Sequence, residues 1–114
     1  MNRPGNPPAE TTPSAAFAAA GTGVLLLDVR EAHEWAAGHA PGATHVPLGV
    51  LDPAGLDPAV PVVAICRSGN RSGRATATLV AAGFDVRNMA GGMKAWAGAG
   101  LPVIRDDGTP GRVV

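Results

Sequence analysis

Apolar residues along this chain fall into short runs separated by glycine, proline and charged residues. Two runs, Val24–Val29 (VLLLDV) and Val62–Ile65 (VVAI), are almost wholly apolar, the pattern of strands buried on both faces. Ala43–Val46 and Phe84–Met89 are further strand candidates. Between them the period turns helical. Arg71–Ala82 aligns Ala75, Leu79 and Ala82 and stops at Gly83. Ser14–Ala20 follows Thr12 as N-cap and Pro13 at the first helical position. Glu31–Ala37 stops at Gly38, and Met93–Ala97 runs from the Gly91-Gly92 break to Gly98. Pro41-Gly42 marks a turn. Pro47–Pro61, with four prolines and two glycines, predicts an irregular crossover with one helical turn near Leu48–Leu51. Leu101–Ile104 predicts an edge strand. Met1–Thr11 predicts a disordered tail, and Arg105–Val114, with its Asp-Asp-Gly and Pro-Gly, a mobile one. Strands and helices alternate, so residues 12–104 read as one α/β domain with a mainly parallel sheet.

Composition narrows the partners. Nine basic residues balance nine acidic ones, which removes the electrostatic case for nucleic acid or an anionic membrane. No apolar run approaches the ~20 residues that span a bilayer. The N-terminus is a poor secretory signal. Cys66 is the only cysteine, so no internal disulfide forms, in keeping with a cytoplasmic setting.

The candidate chemistry sits where the Val62–Ile65 run ends. Cys66 is followed by Arg67, Ser68, Gly69, Asn70, Arg71 and Ser72, and then by the strongest helix. A loop between a buried strand and a helix N-terminus can converge N–H groups on one point, and the helix end adds partial positive charge. With Arg67 and Arg71 nearby, the setting favours thiolate over thiol and marks Cys66 as a nucleophile in an anion cradle. The competing reading is an inert buried cysteine that closes a strand. Asp28 and Arg30 follow the other buried strand and read as a structural pair. His33, His39 and His45 lack the spacing of a metal site; His39 is expected to bond backbone in its turn. Trp35 and Trp96 read as packing residues. Gly91-Gly92 is a turn before the last helix rather than a phosphate loop.

Five stretches together resemble one family, the single-domain rhodaneses: LLLDVREAHEW (Leu25–Trp35), GHAPGATHVPL (Gly38–Leu48), VVAICRSGNRS (Val62–Ser72), LVAAGFDV (Leu79–Val86) and GGMKAWAGAGLPV (Gly91–Val103). Ala40 departs from the larger aliphatic residue usual there. The resemblance implies a small doubly wound sheet with helices on both faces and a sulfurtransferase. In that reading Cys66 carries a persulfide, and Arg67, Ser68, Gly69, Asn70, Arg71 and Ser72 form the substrate-binding loop. It implies no cofactor and no metal. The partners would be a small anionic sulfur donor such as thiosulfate, and a cyanide, thiol or protein acceptor. A lone cysteine has no internal resolving thiol, so the sulfur must leave to an external acceptor. Two rivals remain: a cysteine phosphatase or arsenate reductase with a related cradle, and a non-catalytic binding module. Phosphatases of that type resemble Cys-x5-Arg, whereas here the spacing from Cys66 to Arg71 is Cys-x4-Arg, with Ser72 at the phosphatase arginine position.

Overall fold

The computed structural model describes residues 9–114. In chain order the elements are β1 (Glu10–Thr11), α1 (Pro13–Ala19), β2 (Leu25–Asp28), α2 (Ala32–Ala37), β3 (Thr44–His45), β4 (Val62–Ile65), α3 (Asn70–Ala81), β5 (Val86–Met89) and α4 (Gly92–Gly98). Two short 3-10 turns, Leu48–Val50 and Pro53–Gly55, lie in the crossover from β3 to β4.

The five strands form one sheet in the order β1-β5-β4-β2-β3, with every pairing parallel. Its centre is β4, in register with β2 (Ala64 opposite Leu27) and with β5 (Ala64 opposite Asn88). All four β4 residues are buried, which is why the run carries no polar alternation. Alternate β4 side chains feed two apolar layers. Val62, Ala64 and Cys66 join Leu27, Val29, Ala75, Leu79 and Phe84 beneath α3. Val63 and Ile65 join Ala16 of α1 and Met93 and Trp96 of α4 on the other face. There Phe17 meets the Trp96 ring edge-on at 5.7 Å. Thr12 Oγ1 accepts from the Ala15 amide at 3.1 Å, so the N-cap signal at α1 is used as read.

Strand order reverses between β2 and β4, because the chain winds outward to β3 on one side and to β5 on the other. In such a sheet the crevice beyond the strand ends at the reversal is the natural binding position. Cys66 lies just past the end of β4, beside the Asp28–Arg30 exit from β2.

Three boundaries differ from the sequence expectation. Residues 1–8 of the expected Met1–Thr11 tail lie outside the described residues, but Glu10 and Thr11 pair with Asn88 and Met89 as an edge strand. Two residues carry too little pattern to announce a strand. Leu101–Ile104 is not a strand. Only Ile104 pairs, exchanging both backbone bonds with His39 at 2.8 and 2.9 Å; Pro102 has no N–H, and Pro41-Gly42 turns the facing segment away. Residues 105–114 fold back rather than trail as a mobile tail. Asp107 Oδ1 accepts from the Thr109 amide and hydroxyl, forming a turn, and the chain returns with Gly111 N–H donating to Val103 O and Arg112 N–H to Ala37 O. A Cβ on Gly111 would lie 2.8 Å from Ala37 O, so this glycine serves close contact rather than looseness. The packed unit therefore extends past residue 104.

Candidate active site

Cys66 is 1% exposed, and its Sγ faces a ring of donors built by the loop behind it. Gly69 N–H donates to Sγ at 3.0 Å, and Ser72 Oγ lies 3.1 Å away. The amides of Ser68 and Ser72 also act on the sulfur. Burial pushes the thiol up, but the Ser72 hydroxyl and the amides of Ser72, Gly69 and Ser68 together outweigh it and bring Cys66 below the ordinary cysteine range. Gly69 holds φ +108, a left-handed conformation at no side-chain cost, and this tightens the turn into α3.

The outer side of the ring is held by α4. Met93 N–H donates to Cys66 O at 2.8 Å, and Lys94 N–H to Arg67 O at 3.0 Å. In a trans peptide C=O and N–H point opposite ways. Drawing the Arg67 carbonyl towards α4 thus turns the Ser68 amide towards sulfur. Gly92 makes this approach possible: it sits at φ +60, and a Cβ there would lie 2.5 Å from Cys66 O and 2.6 Å from Arg67 C. The Gly91-Gly92 pair is a turn, as read, and is also the seat of the sulfur ring.

The two arginines are placed differently. Arg71 clamps Glu34 of α2 with two parallel bonds of 2.7 and 2.8 Å. The Arg71 bond holds the Glu34 carboxyl at about 2 against the opposing effect of burial, with help from the Glu31 amide. In turn Glu34 raises Arg71, and the Cys66 thiolate adds to that, so this charge lies within electrostatic reach of the sulfur. Arg67 is exposed and its Nε donates to Val114 O at 3.0 Å. Ser68 and Asn70 are exposed at the rim, whereas Ser72 is buried.

Glu34 and Asn88 belong to the site although the sequence did not single them out. The available signal for Glu34 was its place three residues after Glu31, where its carboxylate accepts the Glu31 amide at 3.0 Å as a helix-start acid does. Asn88 is buried on β5. Its Nδ2 donates to Gly69 O at 2.9 Å, and its Oδ1 accepts from Ser72 Oγ at 2.6 Å. A polar residue between the exposed Arg87 and the buried Met89 was its only mark.

The remaining candidates are structural. Asp28 and Arg30 form a fully buried bidentate pair, and Arg30 Nη2 also donates to Gly38 O at 2.8 Å. His39 Nδ1 and His45 Nε2 bond the carbonyls of Trp35 and Arg30, and both rings stack on Trp35. Trp96 is buried, its indole N–H on Pro102 O. An apolar cavity of about 220 Å³ lies under α1 at the strand beginnings, lined by Ala15, Ala19, Val24 and Val62. It is at the far end of the sheet from Cys66 and holds none of the loop chemistry.

Known proteins resemble this chain in sequence and in fold. The family model for the rhodanese-like domain matches residues 13–99. An uncharacterized protein of Synechocystis is 39% identical over 90 residues, covering 76% of this chain and 50% of its own length, so this chain spans about half of that relative. The thiosulfate sulfurtransferase GlpE of Pseudomonas entomophila is 36% identical over 90 residues, 75% of this chain and 81% of that one. A rhodanese-related protein of Thermoplasma volcanium superposes with a TM-score of 0.79 at 26% identity, over 84% of this chain and 97% of that one.

Proposed function

The chain belongs to the rhodanese-like domain family, and from that premise we propose that it is a sulfurtransferase working through a persulfide on Cys66. The observation that carries this reading is the convergence of N–H and O–H donors on one buried sulfur. Such a ring stabilises the thiolate that attacks the donor.

The reaction runs in two displacements. The Cys66 thiolate attacks the sulfane sulfur of thiosulfate or a related small anionic donor. The donor's S–S bond breaks, its electron pair leaves with sulfite, and the negative charge ends on the outer sulfur of the new persulfide. A cyanide, thiol or protein thiolate then attacks that outer sulfur and restores the Cys66 thiolate. Sulfite departs as a stable anion, so no general acid is needed. Arg67, Ser68, Gly69, Asn70, Arg71 and Ser72 surround the donor; Arg71 contributes charge while fixed by Glu34 rather than as a free clamp. No described helix is long and apolar enough to cross a membrane. A reducing compartment such as the cytoplasm suits a thiolate that must stay free.

The test is the intact mass of the purified protein before thiosulfate, after it, and after cyanide. The reading expects a gain of one sulfur atom that cyanide removes as thiocyanate, and no gain in Cys66→Ser. Cys66-dependent hydrolysis of an aryl phosphate at a rate matching sulfur transfer would favour the phosphatase instead. Capture of a partner with neither activity would favour a binding module.

A further inference from the structure

Ser72 has one hydroxyl proton and two acceptors. Cys66 Sγ lies 3.1 Å from Ser72 Oγ, and Asn88 Oδ1 lies 2.6 Å from it. The Asn88 amide cannot turn over to relieve the competition, because its Nδ2 is committed to Gly69 O at 2.9 Å. Nor can the residue move away, since β5 is held between β4 and β1 and the Asn88 backbone N–H donates to Ala9 O. A hydroxyl donates once, so its proton faces either sulfur or the amide carbonyl.

The protonation and sulfur-loading states use this choice differently. In the thiol, S–H points to Ser72 Oγ and the hydroxyl to Asn88. In the thiolate, the hydroxyl turns to Sγ and leaves Asn88 Oδ1 buried without that donor. In the persulfide, Sγ is neutral and the charge sits on the outer sulfur, so the hydroxyl returns to Asn88.

Taking Cys66 as the sulfur-carrying nucleophile, we propose that Asn88 is a positioning residue for sulfur loading. Its carbonyl competes with Sγ for the Ser72 proton and so favours moving charge from the inner to the outer sulfur. The cradle by itself over-stabilises the thiolate, and thiolate nucleophilicity falls as stabilisation rises. Asn88 offsets part of that.

The charged groups near the sulfur are Arg71 of α3 with its partner Glu34 of α2, and Arg67 in the loop. From α4 the loop receives backbone N–H groups. Substituting Asn88 or Ser72 leaves all of these in place.

The experiment is a double-mutant cycle of wild type, Asn88→Leu, Ser72→Ala and the double variant, read by iodoacetamide alkylation against pH. Asn88→Leu should move the profile to lower pH, raising the thiolate fraction about fivefold well below the midpoint, the weight of one net hydrogen bond. Above the midpoint, where all protein is thiolate, it should load sulfur from thiosulfate about twofold more slowly. In the Ser72→Ala background neither change should occur. A structural role, anchoring the loop through Gly69 O, predicts the opposite sign, because looser amides raise the thiol. A profile that moves up or stays still, or an equal downward shift in both backgrounds, overturns the proposal. If Asn88→Leu does not fold, Asn88→Val, suited to a strand, runs the same cycle. The alkylation arm uses no sulfur donor, so a wild type that gains no sulfur refutes the sulfurtransferase reading separately.

Discussion

Replacing Glu34 by Gln keeps the shape of the Arg71 clamp and removes its charge. The carboxyl is held at about 2 rather than 4.5. At ~1.36 kcal/mol per tenfold in proton affinity, that difference bounds the contribution at roughly 3 kcal/mol. The Arg71 side chain is 32% exposed, and solvent screening lowers the figure to about 1–2 kcal/mol. A carboxylate with a depressed folded value stabilises fully above its unfolded value and loses that as pH falls through its folded value. The contribution is thus complete above pH 4.5 and disappears as pH falls towards about 2. Urea denaturation of wild type and Glu34→Gln across this range isolates it, because every other acid titrates in both proteins. The gap should be about 1–2 kcal/mol at neutral pH and close as the pH approaches 2. The same variant removes the negative charge that offsets Arg71 beside the sulfur, so the KM for thiosulfate should fall. Equal stability at neutral pH, or a gap that does not narrow in acid, would refute the ion pair as described.

Gly92→Ala puts a Cβ 2.5 Å from Cys66 O at φ +60, so thiosulfate loading should fall by an order of magnitude or more, on the order of a ~1 Å misplacement, with the alkylation profile moved to higher pH; unchanged loading would separate α4 from the sulfur ring. Gly111→Ala should destabilise by about 1–3 kcal/mol through its contact with Ala37 O, measured as a lower Tm; a neutral result would mean that the 105–114 return does not pack as described. Arg71→Ala should raise the KM for thiosulfate more than Arg67→Ala, because Arg71 lies within reach of the Cys66 charge while Arg67 is exposed and screened; the reverse order in steady-state kinetics would relocate donor binding to the rim.

The parts legible in the sequence are those whose signal is local. An unbroken apolar run announced β4, helical spacing announced α3, and the residues just after the cysteine between them are the ones that bond its sulfur. Thr12-Pro13 marked the start of α1 for the same reason. What escaped depends on distant contact. Asn88 meets Ser72 across 16 residues and Glu34 meets Arg71 across 37, and neither has a neighbouring motif that names its partner. The return at 105–114 was hidden differently: its glycines and aspartates have the composition of a loose tail, and only contacts with distant segments, Arg112 N–H on Ala37 O and Gly111 against Gly38, show them to be a packed turn. Arg67 and Arg71 looked alike as charges beside a thiolate, but a carboxylate on another helix separates their roles.

The seating of α4 against the Cys66 and Arg67 carbonyls sets a limit on how this scaffold can change its chemistry. The Arg67–Ser68 peptide serves two masters, with its oxygen committed outward to the last helix and its nitrogen inward to sulfur, while the Cys66 oxygen is held by the same helix. Moving this peptide therefore demands a matching shift of Gly91-Gly92 and the helix they start. The orientation of the loop start and the seating of the last helix are set together, so a substitution at Gly91-Gly92 acts on the surroundings of Cys66 as directly as one in the loop itself.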